Sequence, residues 1–213
     1  MVSSHTDYRR SVMDARAIEN PQAAVGGLWD EMGQLQVHVL KELGLVPSHE
    51  LLDIGCGSLR GGIPLIDYLS PGKYWGTDIS PELLKAGIAQ LEKSGLVDKN
   101  PTLRIAIDFS LKEVGDRKFD FIQAFGVFTD VPRGFVEECL ESVSNVLSPE
   151  GIFIATFGAA EKYSEDHRHL RFRYPLSFFK SLESRVGMDI KFMPNFSFRH
   201  PKGHSLLLAR RKR

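Results

Sequence analysis

Leu51-Leu52-Asp53-Ile54-Gly55-Cys56-Gly57-Ser58 ends an apolar run with an acid two residues ahead of a glycine pair, and this stretch decides the fold. The glycines permit a tight turn and let backbone N–H groups approach a ligand where a Cβ would stand in the way. Gly61-Gly62-Ile63-Pro64 then opens a helix, because proline suits a first helical turn, where its missing N–H costs nothing. Strand, glycine turn and helix together form the opening of a nucleotide-binding α/β unit. The spacing is G-x-G-x-x-x-G over Gly55, Gly57 and Gly61, not the G-x-G-x-x-G of dinucleotide turns, and no GK[ST] follows. A pyrophosphate is therefore disfavoured. The Asp53 carboxylate beside the turn also repels phosphate and suits an ammonium group, so the expected ligand is a nucleoside carrying positive charge.

A second apolar run, Lys73-Tyr74-Trp75-Gly76-Thr77-Asp78, ends in an acid about 20 residues past the glycines, where such folds place the carboxylate that accepts ribose hydroxyls. Asp78-Ile79-Ser80-Pro81-Glu82 also reads as a turn into a helix, with Ser80 as N-cap and Pro81 in the first turn. The two roles are compatible. Strand-like runs alternate with amphipathic segments along the chain, which argues for a parallel sheet with helices on both faces. Leu28, Met32, Leu35, Val39 and Leu43 recur at helical spacing, as do Phe135, Cys139, Leu140, Val143 and Leu147.

The [DE]-x-G-x-G pattern at Asp53-Ile54-Gly55-Cys56-Gly57 resembles the first motif of the class I S-adenosylmethionine-dependent methyltransferases. The resemblance extends over residues 26–209. Leu103-Arg104-Ile105-Ala106-Ile107 leads to Asp108-Phe109, where the family reads the adenine amine and covers the ring. Phe119-Asp120-Phe121-Ile122-Gln123-Ala124-Phe125 corresponds to strand four. Leu147-Ser148-Pro149-Glu150-Gly151 is similar to the L-x-P-G-G turn into strand five, with Glu150 in the first glycine's place. Several motifs in order at domain spacing are far more specific than one glycine loop. The resemblance implies a doubly wound, seven-stranded, mostly parallel α/β sheet of order 3-2-1-4-5-7-6 with the last strand antiparallel. Met188-Asp189-Ile190-Lys191-Phe192 and His204-Ser205-Leu206-Leu207-Leu208-Ala209 would form its closing pair. It also implies S-adenosyl-L-methionine as cofactor, held by Asp53, Gly55, Cys56, Gly57, Asp78, Ile79, Asp108, Phe109 and Phe125. The helix after Gly26-Gly27 would cap the methionine end through Trp29 and Gln36, although apolar spacing alone explains Trp29 as a packing residue.

Composition agrees. The 213 residues are 42% hydrophobic with a formal net charge of +0, as expected for one domain over residues 1–213 without an overall basic field to recruit nucleic acid. Residues 1–25 form an extension expected to be disordered in part or helical. No stretch approaches the roughly 20 apolar residues of a membrane span, and residues 1–16 lack the apolar core of a signal peptide. The expected compartment is the cytoplasm and the expected state a monomer or homodimer. With two cysteines, Cys56 and Cys139, neither a disulfide framework nor a metal site is indicated.

Ligands in open α/β sheets bind outside the carboxyl ends of the strands, so the segments after strands four, five and six are expected to hold the acceptor. The first, Gly126-Val127-Phe128-Thr129-Asp130-Val131-Pro132, lacks the [DNS]-P-P-[YFW] signature of base-amine methyltransferases. The second, residues 158–174, is a polar insertion with Lys162, His167, Arg168, His169, Arg171 and Arg173. The third, residues 194–201, carries Phe196, Phe198, Arg199 and His200. The chemistry needs a base only for a protonated nucleophile, for which His167, His169 and His200 are the candidates. Arg173 and Arg199 are candidate anchors for an acidic group. The leading expectation is methyl transfer to a small-molecule acceptor. A nicotinamide oxidoreductase, a catalytically silent binding module and a nucleic-acid methyltransferase are the alternatives, the last marked by salt-sensitive RNA binding.

Overall fold

The structure, a computed structural model, describes residues 2–193 and 200–212, and the chain forms two compact units, residues 1–108 and 109–213.

The first unit begins with helices α1 (Val2–Glu19) and α2 (Pro21–Ala24). Asn20 turns the chain between them. Its side chain accepts the backbone N–H groups of Gln22 and Ala23 at 3.1 and 3.0 Å, an N-cap placed ahead of a proline in the first turn. Helix α3 (Trp29–Glu42) buries Met32, Leu35, Gln36, Val39 and Leu40; of the anticipated apolar row, Leu28 instead lies exposed at the N-cap and Leu43 half-buried at the C-cap. Strand β1 (Leu51–Ile54), helix α4 (Gly62–Tyr68), strand β2 (Tyr74–Asp78), helix α5 (Pro81–Lys93) and strand β3 (Thr102–Ile105) follow. The strands run parallel in the order β3-β2-β1, with Ile54 opposite Thr77 and Asp78 opposite Ile105. Every residue of β1 is buried, as parallel strands with both faces covered require. Strand three, expected to reach Ile107, stops at Ile105. Ala106 is buried and still donates its N–H to the Asp78 carbonyl at 2.9 Å, but the next residue, Ile107, is exposed and the chain bends away.

The second unit contains β4 (Phe119–Ala124), α6 (Arg133–Val146), β5 (Leu147–Ala159), β6 (Ser164–Asp166), β7 (Arg171–Tyr174), α7 (Leu176–Val186), β8 (Met188–Phe192) and β9 (Ser205–Arg211). Strands β4 and β5 are parallel; β9 is antiparallel to β5 and to β8. This β4-β5-β9-β8 run is the 4-5-7-6 half of the expected order, with its antiparallel closing strand, as β3-β2-β1 is the 3-2-1 half. The Pro149-Glu150-Gly151 stretch lies inside β5 as an irregularity: Phe119 pairs with Leu147, but Phe121 pairs with Ile152. Residues 158–174, expected as a loop, instead contain the antiparallel pair β6–β7, and β7 adds to the end of β5. Alternation explains it, since Phe172 and Tyr174 are buried between exposed Arg171 and Arg173. Phe157 and Phe179, with ring centroids 4.6 Å apart, sit in an aromatic cluster with Phe128, Phe153, Phe192 and Tyr174.

Candidate functional site

In the first unit the site grows from the turn between β1 and α4. Gly55 and Cys56 both donate their backbone N–H to the Thr77 carbonyl, at 2.7 and 3.0 Å, which ties the turn to β2. Gly57, at φ +56°, then donates its N–H to Asp78 Oδ2 at 2.9 Å, and Asp78 Oδ1 accepts from the Ser80 N–H at 2.9 Å. Asp78 is thus held by two backbone donors at the mouth of the turn. Burial pushes its carboxyl above the ordinary range, opposed by these hydrogen bonds and by Arg9. Ser80 also caps α5, its hydroxyl oxygen accepting from the Leu83 N–H at 3.1 Å while its hydroxyl donates to Asp14 of α1. The expected turn into a helix over 78–82, with Ser80 as N-cap and Pro81 in the first turn, is what the chain forms.

Asp53 lies deeper, 3% exposed, and accepts a hydrogen bond from the Tyr74 hydroxyl at 2.7 Å. Burial, with Asp53 next, drives the Tyr74 phenol well above its ordinary value, which keeps it a donor. Cys56 is buried, and burial with the negative charge of Asp78 and Asp53 raises its thiol well above the ordinary value. Its sulfur fills the space beside Gly76, where an added Cβ would lie 2.8 Å away. The Cys56 side chain is thus packed against β2. Ile79 is buried, Asp108 is half-buried in a bend, and in the second unit Phe109 is buried with its ring edge-on to Phe135 at 5.9 Å. Phe125 is buried just past β4.

Residues 20–28 cover the turn. The Ser58 hydroxyl donates to the Pro21 carbonyl at 3.0 Å, and Arg60 donates through one terminal nitrogen to the carbonyls of Val25 and Gly27. Val25 lies so close to Gly57 that an added Cβ would meet its Cγ1 at 2.5 Å. Gln36 is buried against Gly61, whereas Trp29 is half-buried. Arg60 was missed from sequence because its arginine carries no motif. It is 9% exposed, its Nε is buried without a partner, and burial lowers its pKa against the pull of Asp53. A buried cation satisfied only by carbonyls is an incomplete arrangement that an anion would complete.

In the second unit the histidines separate. His167 lies 3.5 Å from the Glu165 carboxylate and edge-on to Phe172, while His169 Nδ1 lies 2.7 Å from Asp166. Both are exposed on the β6–β7 pair, and each is matched to a carboxylate. Tyr163 donates to Glu165 at 2.7 Å under the Arg133 guanidinium, and burial with that bond pushes its phenol up to about 12. Lys162, Arg168 and Arg171 are exposed. His200 stacks on His204 at 4.4 Å. Phe196, Phe198 and Arg199 lie outside the described residues. No group of three metal-ligating side chains occurs among the described residues, and no described helix is long and apolar enough to cross a membrane.

Residues 52–153 match a family model described as a methyltransferase domain. The fold resembles that of magnesium protoporphyrin IX methyltransferase from Synechocystis PCC 6803 with bound SAM, at 15% identity and a TM-score of 0.73 over 98% of this chain and 97% of that one. It also resembles a TehB-like SAM-dependent methyltransferase from Corynebacterium glutamicum ATCC 13032, at 19% identity and a TM-score of 0.64 over 99% and 100%. The glycopeptide N-methyltransferase MtfA is similar at 17% identity and a TM-score of 0.63 over 84% and 90%.

Proposed function

We propose that this chain is a class I S-adenosylmethionine-dependent methyltransferase that methylates a small-molecule acceptor, a reading supported by the methyltransferase-domain match over residues 52–153 and by the fold, and that the turn between β1 and α4 holds the cofactor. The observation that carries this reading is Asp78, whose carboxylate is fixed at the mouth of the turn by the Gly57 and Ser80 N–H groups. Each carboxylate oxygen has a further lone pair for a ribose hydroxyl. The residues present also fit the other end of the ligand. Arg60, with its unpartnered Nε, suits an amino-acid carboxylate, and the backbone at Gly55 and Gly57 is open to close approach. Bound there, the group supplies an electrophilic methyl on a sulfonium.

The protein's own work is then positioning. Asp78 orients the ribose, Asp108 and Phe109 are the candidates for the adenine, and residues 20–28 shut water from the turn. A single domain over residues 1–213 is part of this proposal, supported by a family match that spans residues 52–153. A small-molecule acceptor is supported by the balanced net charge, which supplies no general field for a nucleic acid. Calorimetric titration with S-adenosylmethionine, S-adenosylhomocysteine and NAD tests the reading. It requires micromolar binding of both sulfur nucleosides, weakened in Asp78→Ala and absent for NAD. Binding of NAD alone, or of nothing, refutes it.

A further inference from the structure

Three residues that no motif marks, Gly158, Arg173 and His204, lie about the carboxyl end of β5. Gly158 pairs with Arg173 of β7 on one side. On the other side β9 runs antiparallel with Phe157 opposite Ser205; His204 immediately precedes β9, next to this last paired row, and Arg173 is among the charges that act on it. Gly158 leaves the space beside Arg173 open, because an added Cβ would stand 3.1 Å from Arg173 Cγ. A glycine at a strand end marks a place where a ligand or a neighbour approaches closely, and this is the end at which open α/β sheets bind ligands.

The two flanking groups are chemically unfinished. Arg173 is exposed and has no carboxylate partner among the described residues. His204 is half-buried, and its Nδ1 is buried without a hydrogen bond. His200 stacks on its ring. The charges that face it are Lys202 and Arg173, both cationic, and with burial as the largest cause they hold its pKa below the ordinary histidine value. Burial and these cations favour its neutral form, and among the described residues its ring is not engaged by a carboxylate as those of His167 and His169 are on the exposed β6–β7 pair.

We propose that Arg173, Gly158 and His204 form the acceptor subsite, that Arg173 pairs with an anionic group of an acidic small molecule, and that His204 takes the proton from its hydroxyl or ammonium. This rests on the methyltransferase reading above and names its substrate class. With Nδ1 buried, Nε2 is the ring nitrogen an acceptor reaches. The acceptor O–H or N–H bond breaks with its electron pair remaining on oxygen or nitrogen, which becomes the nucleophile for the methyl group. The proton passes to Nε2, and the imidazolium, disfavoured by Lys202 and Arg173, returns it to solvent.

The test is a radiolabelled methyl-transfer screen over hydroxy and amino carboxylic acids, each matched with its neutral amide, alongside NMR of the His204 imidazole in the S-adenosylhomocysteine-bound protein. Turnover of acids over their amides is expected, with KM for the acid rising at least tenfold in Arg173→Met. In His204→Asn, kcat falls about 100-fold or more, and the decline of rate toward acid pH disappears, while affinity for S-adenosylhomocysteine stays at the wild-type value and reports an intact fold. Equal use of acids and amides overturns the proposal, as does a His204→Asn enzyme that keeps its rate and pH profile. A screen in which no acid is methylated and none shifts the His204 resonance also overturns it, while leaving methyl transfer itself standing as long as S-adenosylhomocysteine binds. Failure of the wild type to bind either sulfur nucleoside would instead remove the underlying reading.

Discussion

Replacing Gly57 with alanine tests the link between the glycine turn and the segment that covers it. Gly57 has φ +56°, and a Cβ added there would lie 2.5 Å from Val25 Cγ1. The left-handed backbone costs an L-residue about 1–2 kcal/mol. The overlap must be relieved by moving Val25 roughly 1 Å outward to an ordinary carbon–carbon separation of about 3.5 Å. That shift strains the hydrogen bonds from the Arg60 guanidinium to the Val25 and Gly27 carbonyls, and hydrogen bonds to charged groups contribute about 1.5–3 kcal/mol each. A total destabilisation of about 2–4 kcal/mol is expected, a fall in Tm of about 5–15 °C for a chain of this size. Differential scanning calorimetry on Gly57→Ala, Val25→Ala and the double variant separates the two parts. Val25→Ala removes the colliding methyl, so the double variant is expected to recover the steric share and retain the backbone share of about 1–2 kcal/mol. A Gly57→Ala protein as stable as wild type, or a double variant no better than the single one, would refute the placement of Val25 over the turn.

Three further outcomes follow from the same contacts. Tyr74→Phe leaves the buried Asp53 carboxylate without its 2.7 Å hydroxyl donor, and a loss of about 1–3 kcal/mol in urea-induced unfolding is expected. Ser80→Ala removes both the cap of α5 and the link to Asp14; about 1 kcal/mol is expected from the cap alone, with faster hydrogen exchange in α1 as the sign of the lost link. For Asp78 the folded pKa is raised, so its contribution to stability is complete below the unfolded value of about 3.9 and is lost as pH rises through the higher folded value. Ribose hydroxyls favour the ionised form, so calorimetry at stepped pH should show affinity for S-adenosylhomocysteine falling on acidification with a midpoint above 3.9, and a flat profile in Asp78→Asn.

The first unit was legible because its determinants are local. Leu51-Leu52-Asp53-Ile54 is a buried strand, and its glycines and Asp78 lie within a span in which backbone geometry dictates residue type. The β6–β7 pair was not legible. Arg171-Phe172-Arg173-Tyr174 has strand alternation, yet four residues rich in arginine within a polar stretch give a period too short to separate from a loop. The burial that decides it comes from distant partners: the Phe172 N–H donates to the Thr129 carbonyl at 2.8 Å, and Tyr174 donates to the Val131 carbonyl.

The same contrast of range explains which site residues were missed. Arg60 matters because residues 25 and 27 return to it, and His204 because β9 runs back beside β5; neither relation leaves a periodic or motif signal near the residue itself. The histidines that did stand out, His167 and His169, were conspicuous because they lie in a polar stretch, and that same stretch supplies the carboxylates of Glu165 and Asp166 that engage them. His204 was hidden by the opposite circumstance. It opens an apolar strand and reads as that strand's first residue, yet burial and the cations that face it hold its pKa below the ordinary histidine value. Conspicuousness in sequence therefore runs against availability here, because the neighbours that make a histidine easy to notice are the ones that occupy it.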